Sequence, residues 1–137
     1  MDISQELLEQ ILAHACEIPE EECCGVVAVE DGSPVRAVRV YRATNIHKSE
    51  LKFQIGSDEL LALWNEIQRE GWEVGAIYHS HVRSEPYPSQ TDINFAAEWP
   101  GVEWIIVGLA DPATPEIHSY LIEEGAVREV EIAKVPV

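Results

Sequence analysis

The sequence predicts a mixed α/β domain in which helices flank a single β-sheet, and three observations support this fold class. Segments with apolar residues at helical spacing alternate with short, β-branched runs that are typical of strands. Their order is helix, strands, helix, strands, which favours one sheet covered by helices. The length of 137 residues and the apolar content of 46% suit one domain, residues 1–137, with one core.

The first half is predicted to hold two helices and three strands. Pro19 ends the first helix, Asp31-Gly32 marks the turn of a hairpin, and Gly71 stops the second helix. In chain order, the elements are a helix over 3–16, strands over 23–29 and 35–41, a short strand over 53–55, and a helix from 57 to 70.

The second half is predicted to be mostly strand, interrupted by a polar, proline-rich segment over 79–92. A short helix is expected to begin at Thr91 or Asp92 and to end near Ala97. In chain order, the strands are predicted over 74–78, 103–109, 117–122 and 127–132.

The charge balance excludes several classes of partner. Nine basic and twenty-five acidic residues give a net charge of −16, a field that repels nucleic-acid backbones and anionic membranes. No apolar run approaches the roughly 18 residues of a membrane span, and the N-terminus does not resemble a secretory signal. These features predict a cytoplasmic protein that binds neither nucleic acid nor membrane, and the acidity is compatible with a salt-rich cytoplasm.

The three cysteines, Cys16, Cys23 and Cys24, are predicted to be small buried hydrophobes. Their number is odd and two of them are adjacent in sequence, which makes a poor disulfide framework. There is no CxxC pair, which disfavours a thiolate zinc knuckle. A thiol enzyme would need a partner base and partial exposure, whereas Cys23 and Cys24 begin an apolar strand.

The most informative pattern is a pair of histidines, His79 and His81, directly after an apolar strand. If the chain stays extended there, side chains two apart point to the same side, so both imidazoles can reach one ion. Asp92, at the next helix start, can supply an anionic third ligand. Three nitrogen or oxygen ligands and one open position are the arrangement of a catalytic zinc, whose bound water ionises near pH 7.

These residues resemble a known family. The pattern is similar to the motif of the JAMM (MPN-plus) zinc metalloproteases. It consists of His79-x-His81, then Ser89 after seven residues, then Asp92 after two more. Upstream, Glu22-Cys23-Cys24-Gly25 looks like the Glu-x-x-Gly that begins the family's first long strand. The resemblance covers roughly residues 3–131 in the same element order, and it implies a cytidine-deaminase-like JAMM/MPN fold.

The resemblance also implies a role for each matched residue. His79, His81 and Asp92 would hold one Zn²⁺ per chain. Glu22 would act as general base and then protonate the leaving amine, and its position relative to Gly25 favours it over Glu20 and Glu21. Ser89 would donate a hydrogen bond to the developing oxyanion.

The same resemblance suggests a substrate. Small stand-alone members resemble enzymes that cleave after the C-terminal Gly-Gly of ubiquitin-like sulfur-carrier proteins, and the short chain leaves no room for the insertions of deubiquitinase-like isopeptidases. The stretch after His81 departs from the family pattern, since Val82 stands where many members have Pro. The loop over 82–88 is expected to form one wall of the substrate groove.

Two alternative functions fit the same residues less well. A non-catalytic scaffold of the same fold usually lacks ligands that this chain keeps, and a zinc deaminase needs a Pro-Cys-x-x-Cys that is absent after position 24. His47 is expected to be a surface loop residue, His14 and His118 belong to no pattern, and Ser80 is expected to be a small turn filler.

Overall fold

The computed structural model describes residues 1–136 and contains three helices and eight strands within that range. The elements are β1 (Asp2–Ser4), α1 (Gln5–Glu17), β2 (Cys24–Glu30), β3 (Arg36–Ala43), α2 (Ser57–Arg69), β4 (Glu73–His81), α3 (Gln90–Ala96), β5 (Glu103–Gly108), β6 (Glu116–Glu123), β7 (Ala126–Val130) and β8 (Ala133–Val135). The predicted mixed α/β fold class is confirmed.

All eight strands join one sheet in the order β7-β6-β5-β4-β2-β3-β1-β8. The β2–β3 hairpin is antiparallel, as predicted, and β4 runs antiparallel to β2 but parallel to β5. β4 therefore lies in the middle of the sheet with a neighbour on each side. This central position gives the strand that carries the two histidines little freedom to shift.

The sheet separates two apolar layers. Helix α1 packs on one face, where its Leu8 and Ile11 meet Ala76 and Tyr78 of β4. Helices α2 and α3 cover the other face, and Ile77 of β4 belongs to that second layer. The alternation along β4 continues to its end, so His79 and His81 lie on the same face as Ile77.

Four details differ from the sequence expectation. Ile3 belongs to a three-residue strand, β1, because Ser4 caps α1 by accepting a hydrogen bond from the Leu7 N–H at 3.2 Å. Residues 53–55 form only an isolated bridge, between Asn45 and Ile55. Helix α3 begins at Gln90, ahead of the predicted start, because Ser89 is its cap. Strand β8 was not predicted.

Among the described residues, no helix is both long and apolar enough to cross a membrane.

Candidate metal centre

The two histidines are placed by strand β4, which runs three residues beyond its predicted end at Tyr78. His79 is paired with Cys24 of β2 and Ile106 of β5, and His81 is paired with Gly108 of β5. Because the chain stays extended, both imidazoles lie on one face, as the His-x-His spacing requires. The two histidines are therefore anchored at the end of a central strand of the sheet.

Asp92 is placed by the capping box of helix α3. The Ser89 hydroxyl accepts a hydrogen bond from the Asp92 N–H at 3.1 Å, and the Ser89 N–H donates to Asp92 Oδ2 at 2.9 Å. Asp92 Oδ2 is also the oxygen that faces the two histidines. The fixed spacing between Ser89 and Asp92 thus has a local cause, since the serine orients the carboxylate.

The three side chains converge on one point. His79 Nε2 lies 3.1 Å from His81 Nε2 and 3.2 Å from Asp92 Oδ2, and His81 Nε2 lies 3.4 Å from the same oxygen. A tetrahedral zinc ion with bonds of about 2.0–2.2 Å keeps its ligand atoms about 3.3–3.6 Å apart. The triangle is close to that size, and all three residues are buried. The donor set and spacing therefore fit zinc.

Each ring is held in an orientation that suits a ligand. His81 Nδ1 donates a hydrogen bond to the Glu85 carbonyl at 2.7 Å, which leaves the Nε2 lone pair facing the centre. The His79 ring stacks on Phe53, with centroids 4.4 Å apart and planes 24° apart. Within residues 1–136, His79 Nδ1 has no hydrogen-bond partner, so on that side of the ring packing alone holds the imidazole.

The protonation equilibria of His79 and Asp92 agree with a cation site. Burial lowers the pKa of His79, which favours the neutral imidazole that binds metals. Burial also disfavours ionisation of Asp92, but hydrogen bonds from His79, His81 and the Ser89 N–H hold the pKa of that carboxyl well below its usual range. An ionised carboxylate beside a neutral imidazole is a suitable donor pair for a divalent ion.

Glu22 lines the same cavity as His81 and Asp92 and is only 6% exposed. Its backbone is fixed on both sides: its N–H donates to the Ser49 carbonyl at 2.8 Å, and its carbonyl accepts from Asn45 Nδ2 at 3.0 Å. Burial raises the pKa of Glu22 to about 8, an effect that His81 opposes and Asp92 adds to. A carboxyl group that titrates near neutral pH is well suited to proton transfer.

Ser80 and Asn45 hold the backbone around Glu22. The Ser80 hydroxyl accepts a hydrogen bond from the Cys23 N–H at 2.9 Å, so it fastens the residue after Glu22 to β4 and is more than a turn filler. Asn45 is buried; its amide donates to the carbonyls of Glu22 and Lys52, and its Oδ1 accepts from two backbone N–H groups. Sequence reasoning missed Asn45, since an asparagine in a polar loop gives no signal of these long-range contacts.

Gly25 has a clear steric role. A Cβ at this position would lie 2.2 Å from the Tyr78 ring. The absence of a side chain lets Tyr78 cross the backbone of β2, where its hydroxyl lies 2.6 Å from Nδ1 of His14 on helix α1. His14, which belonged to no sequence pattern, therefore helps to join α1 to the strand that carries His79 and His81.

The site opens to solvent through a cavity of 370 Å³. Its lining includes the buried residues Glu22, His81 and Asp92 and the exposed residues Leu51 and Ser89. Arg83 and Ser84, from the loop after β4, form part of the lining. The cavity therefore gives a ligand access to the convergent site.

The loop after β4 is held in place by contacts at its middle. The Glu85 carbonyl accepts from His81, and the Pro86 carbonyl accepts from the Tyr120 hydroxyl of β6. The absence of a side chain at Gly108 leaves room for Pro86, since a Cβ there would approach its ring to 3.0 Å. The position of the loop is therefore tied both to a metal-ligand candidate and to the sheet.

The remaining candidates lie apart from the convergent site. His47 is exposed, as expected, with Nε2 3.0 Å from Gln54 Oε1, and His118 pairs with Glu129 at 2.9 Å. Cys24 is buried as predicted, but Cys23 is only partly buried, and Cys16 is exposed because it points away from the apolar side of α1. Burial raises the pKa of Cys23 to about 11, which disfavours a reactive thiolate.

Sequence comparison identifies relatives of this chain. Residues 4–123 match the family described as prokaryotic homologs of the JAB domain. The chain is 36% identical over 127 residues to the CysO-cysteine peptidase of Mycobacterium tuberculosis, covering 93% of this chain and 86% of that protein. It is 34% identical over 86 residues to the desampylase of Pyrococcus furiosus, covering 63% of this chain and 59% of that protein.

Solved structures share the fold. A Desulfitobacterium hafniense protein superposes with a TM-score of 0.86 at 28% identity, covering 99% of this chain and 93% of that one. A JAMM structure, described as a metalloprotease-like zinc site in the proteasome and signalosome, superposes with a TM-score of 0.61 at 20% identity. That match covers 98% of this chain and 97% of the other, and it supports the fold alone.

Proposed function

This chain belongs to the prokaryotic JAB-domain family, and we propose that it is a zinc-dependent peptidase that cleaves after the C-terminal Gly-Gly of a ubiquitin-like sulfur-carrier protein. The observation that carries the proposal is the buried triangle of His79, His81 and Asp92, of which His81 and Asp92 line one cavity together with the buried Glu22. Because the chain is related to peptidases of this family, it is a hydrolase.

Zinc is the metal that best suits the donors. Two imidazole nitrogens and one carboxylate oxygen form a common catalytic zinc set, which leaves a fourth position for water or substrate. When bound, zinc acidifies a water molecule and polarises a carbonyl group. The orientation of His81 by Glu85 and of Asp92 by Ser89 prepares this set before any ion binds.

Glu22 is proposed to move the proton. Its carboxylate would accept a proton from the attacking water and then pass that proton to the leaving amine. Its fixed backbone limits the positions that the carboxyl group can take. The raised pKa of Glu22 means that the carboxyl group holds a proton readily, and a nearby cation would favour the ionised form that acts as a base.

Ser89 is proposed to stabilise the oxyanion. In the capping box its oxygen is an acceptor, so the capping contact leaves the hydroxyl proton free to donate to a substrate oxygen. Because Ser89 also orients Asp92, one residue would serve both the metal ligand and the developing charge.

The substrate is inferred from the relatives and from the shape of the cavity. The relatives named CysO-cysteine peptidase and desampylase, together with the family resemblance, favour a ubiquitin-like carrier as the substrate. A Gly-Gly tail can run between Leu51 and the loop after β4, because glycine allows close backbone approach. Main-chain hydrogen bonds along that path would hold the tail extended, as in strand addition.

The test is intact-mass analysis of a ubiquitin-like carrier that bears a short extension after Gly-Gly, incubated with zinc-loaded enzyme. We expect a single product that ends at the second glycine. A carrier whose last glycine is replaced by valine should be cleaved far more slowly, because the branched side chain collides with the cavity wall. Equal cleavage of both carriers would contradict the substrate assignment, and cleavage only of lysine-linked conjugates would favour an isopeptidase.

A further inference from the structure

Two positively charged side chains lie at the cavity of the candidate site. The chain has only nine basic residues against twenty-five acidic ones, yet Lys52 and Arg83 both line this cavity. A chain with a net charge of −16 repels anions in general. Two cations beside the reacting centre therefore create a local exception to the charge of the whole surface.

Lys52 is free to bind an anion. Its side chain is exposed, and within residues 1–136 no carboxylate lies within 4.0 Å of its ammonium group. Its backbone carbonyl accepts a hydrogen bond at 3.0 Å from Asn45, the residue that also holds the carbonyl of Glu22. The backbone of Lys52 is thus held at a fixed position relative to Glu22, the proposed base.

Arg83 keeps most of its hydrogen-bonding capacity. Its side chain is 81% exposed, and its Nη2 lies 3.4 Å from Glu50 Oε2. A guanidinium has five N–H donors and binds a carboxylate through two of them. Arg83 follows His81 by two residues, in the loop that His81 itself holds through Glu85. The guanidinium therefore starts close to the metal-ligand candidates.

We propose that Lys52 and Arg83 bind the free α-carboxylate of the residue that leaves after Gly-Gly, so that the enzyme prefers carriers extended by a single C-terminal amino acid. This inference rests on the proposed function. In such a substrate, one Cα atom separates the scissile nitrogen from the carboxylate, so the anion must lie near the reacting centre. A lysine side chain of a conjugated protein presents no carboxylate at that distance.

The local charge agrees with this assignment. The exposed charged residues of the cavity lining are Lys52, Arg83 and Glu50, and Glu50 contacts Arg83, so the charge of Lys52 remains to pair with an incoming carboxylate. The two relatives differ in this respect, since the name CysO-cysteine peptidase includes a single amino acid, cysteine, whereas the name desampylase includes none. The cation pair places this chain with the amino-acid-releasing type.

The experiment compares two semisynthetic carriers that end in Gly-Gly-Ala, one with a free carboxylate and the other with a carboxamide. We expect the wild type to cleave the free acid about tenfold more efficiently in kcat/KM, mostly through KM, since hydrogen bonds to charged groups are worth about 1.5 kcal/mol or more. The preference should shrink in 1 M NaCl, because salt screens exposed charges.

Variants separate this role from a general effect of charge. The Lys52→Ala/Arg83→Ala double variant should cleave both carriers at equal rates, whereas Glu50→Gln should strengthen the preference for the acid. Arg69→Ala removes one exposed positive charge outside the cavity and should keep the wild-type ratio. Circular dichroism of each variant checks that it folds.

Two results would overturn the inference while leaving the peptidase assignment intact. They are equal cleavage of acid and amide by the wild type, and an unchanged preference in the double variant. Cleavage of neither carrier by zinc-loaded enzyme would instead contradict the proposed function, and the inference would be lost with it.

Discussion

Replacement of Glu22 by glutamine should change the stability of the metal-free protein in a pH-dependent way. The pKa of Glu22 is raised from 4.5 to about 8, with burial as the largest cause. The folded protein thus holds this proton more tightly than the unfolded chain does. The resulting stability is fully present below pH 4.5 and is lost as the pH rises through 8.

The size of the effect follows from the pKa shift. Each pKa unit corresponds to about 1.4 kcal/mol, so the penalty of the buried carboxylate grows to about 5 kcal/mol above pH 8. Glutamine stays neutral at every pH. The free energy of unfolding of Glu22→Gln, relative to the wild type, should therefore rise by about 3–4 kcal/mol between pH 5 and pH 8.

The assay is urea unfolding of both proteins at pH 5, 6, 7 and 8 in the presence of a chelator. The difference between the two proteins isolates Glu22, because His79, His81 and Asp92 are present in both. A stability difference that does not change with pH, or that falls as the pH rises, would refute the burial argument. With zinc bound, the slope should be shallower, since a cation lowers the pKa of a neighbouring carboxyl group.

Three further predictions concern the supports of the site. Ser89→Ala should lower zinc affinity about fivefold, as measured by competition with a chelator, because the hydroxyl that accepts from the Asp92 N–H is lost, a capping contact worth about 1 kcal/mol, while the backbone N–H that donates to Asp92 Oδ2 is kept; unchanged affinity would contradict the role of the cap. Gly25→Ala should destabilise the protein by about 1–3 kcal/mol in urea unfolding, because the new Cβ overlaps Tyr78, whereas a neutral effect would show that the ring moves freely. The melting temperature should rise from low to molar NaCl, because salt screens repulsion among the charges that sum to −16, and a flat or falling curve would argue against adaptation to salt.

The parts of the fold that the sequence predicts are those with a local signal. The helical spacing over 57–70 and the β-branched runs of β2 and β5 gave elements within one or two residues of those observed. β1 and β8 span three residues each and depend on pairing with each other and with β3. Such short strands form because tertiary contacts select them, so periodicity does not reveal them.

The candidate site likewise contains residues that the sequence reveals and others that only the fold reveals. The spacing of His79, His81, Ser89 and Asp92 is visible in the sequence because a strand end and a helix cap impose it locally. Asn45 holds the backbone of a residue 23 positions earlier, and only the folded chain brings the two together. The exposure of Cys16 was missed because free cysteines are usually buried.

The most direct measurement is a zinc titration of the metal-free protein, followed by cleavage of a Gly-Gly-extended carrier. Cleavage should increase in proportion to added zinc and stop increasing at one zinc per chain. His81→Ala, which keeps only two of the three ligands, should show no such breakpoint and negligible cleavage. Full activity in the metal-free protein, or the same breakpoint in the His81→Ala variant, would contradict a catalytic zinc held by His79, His81 and Asp92.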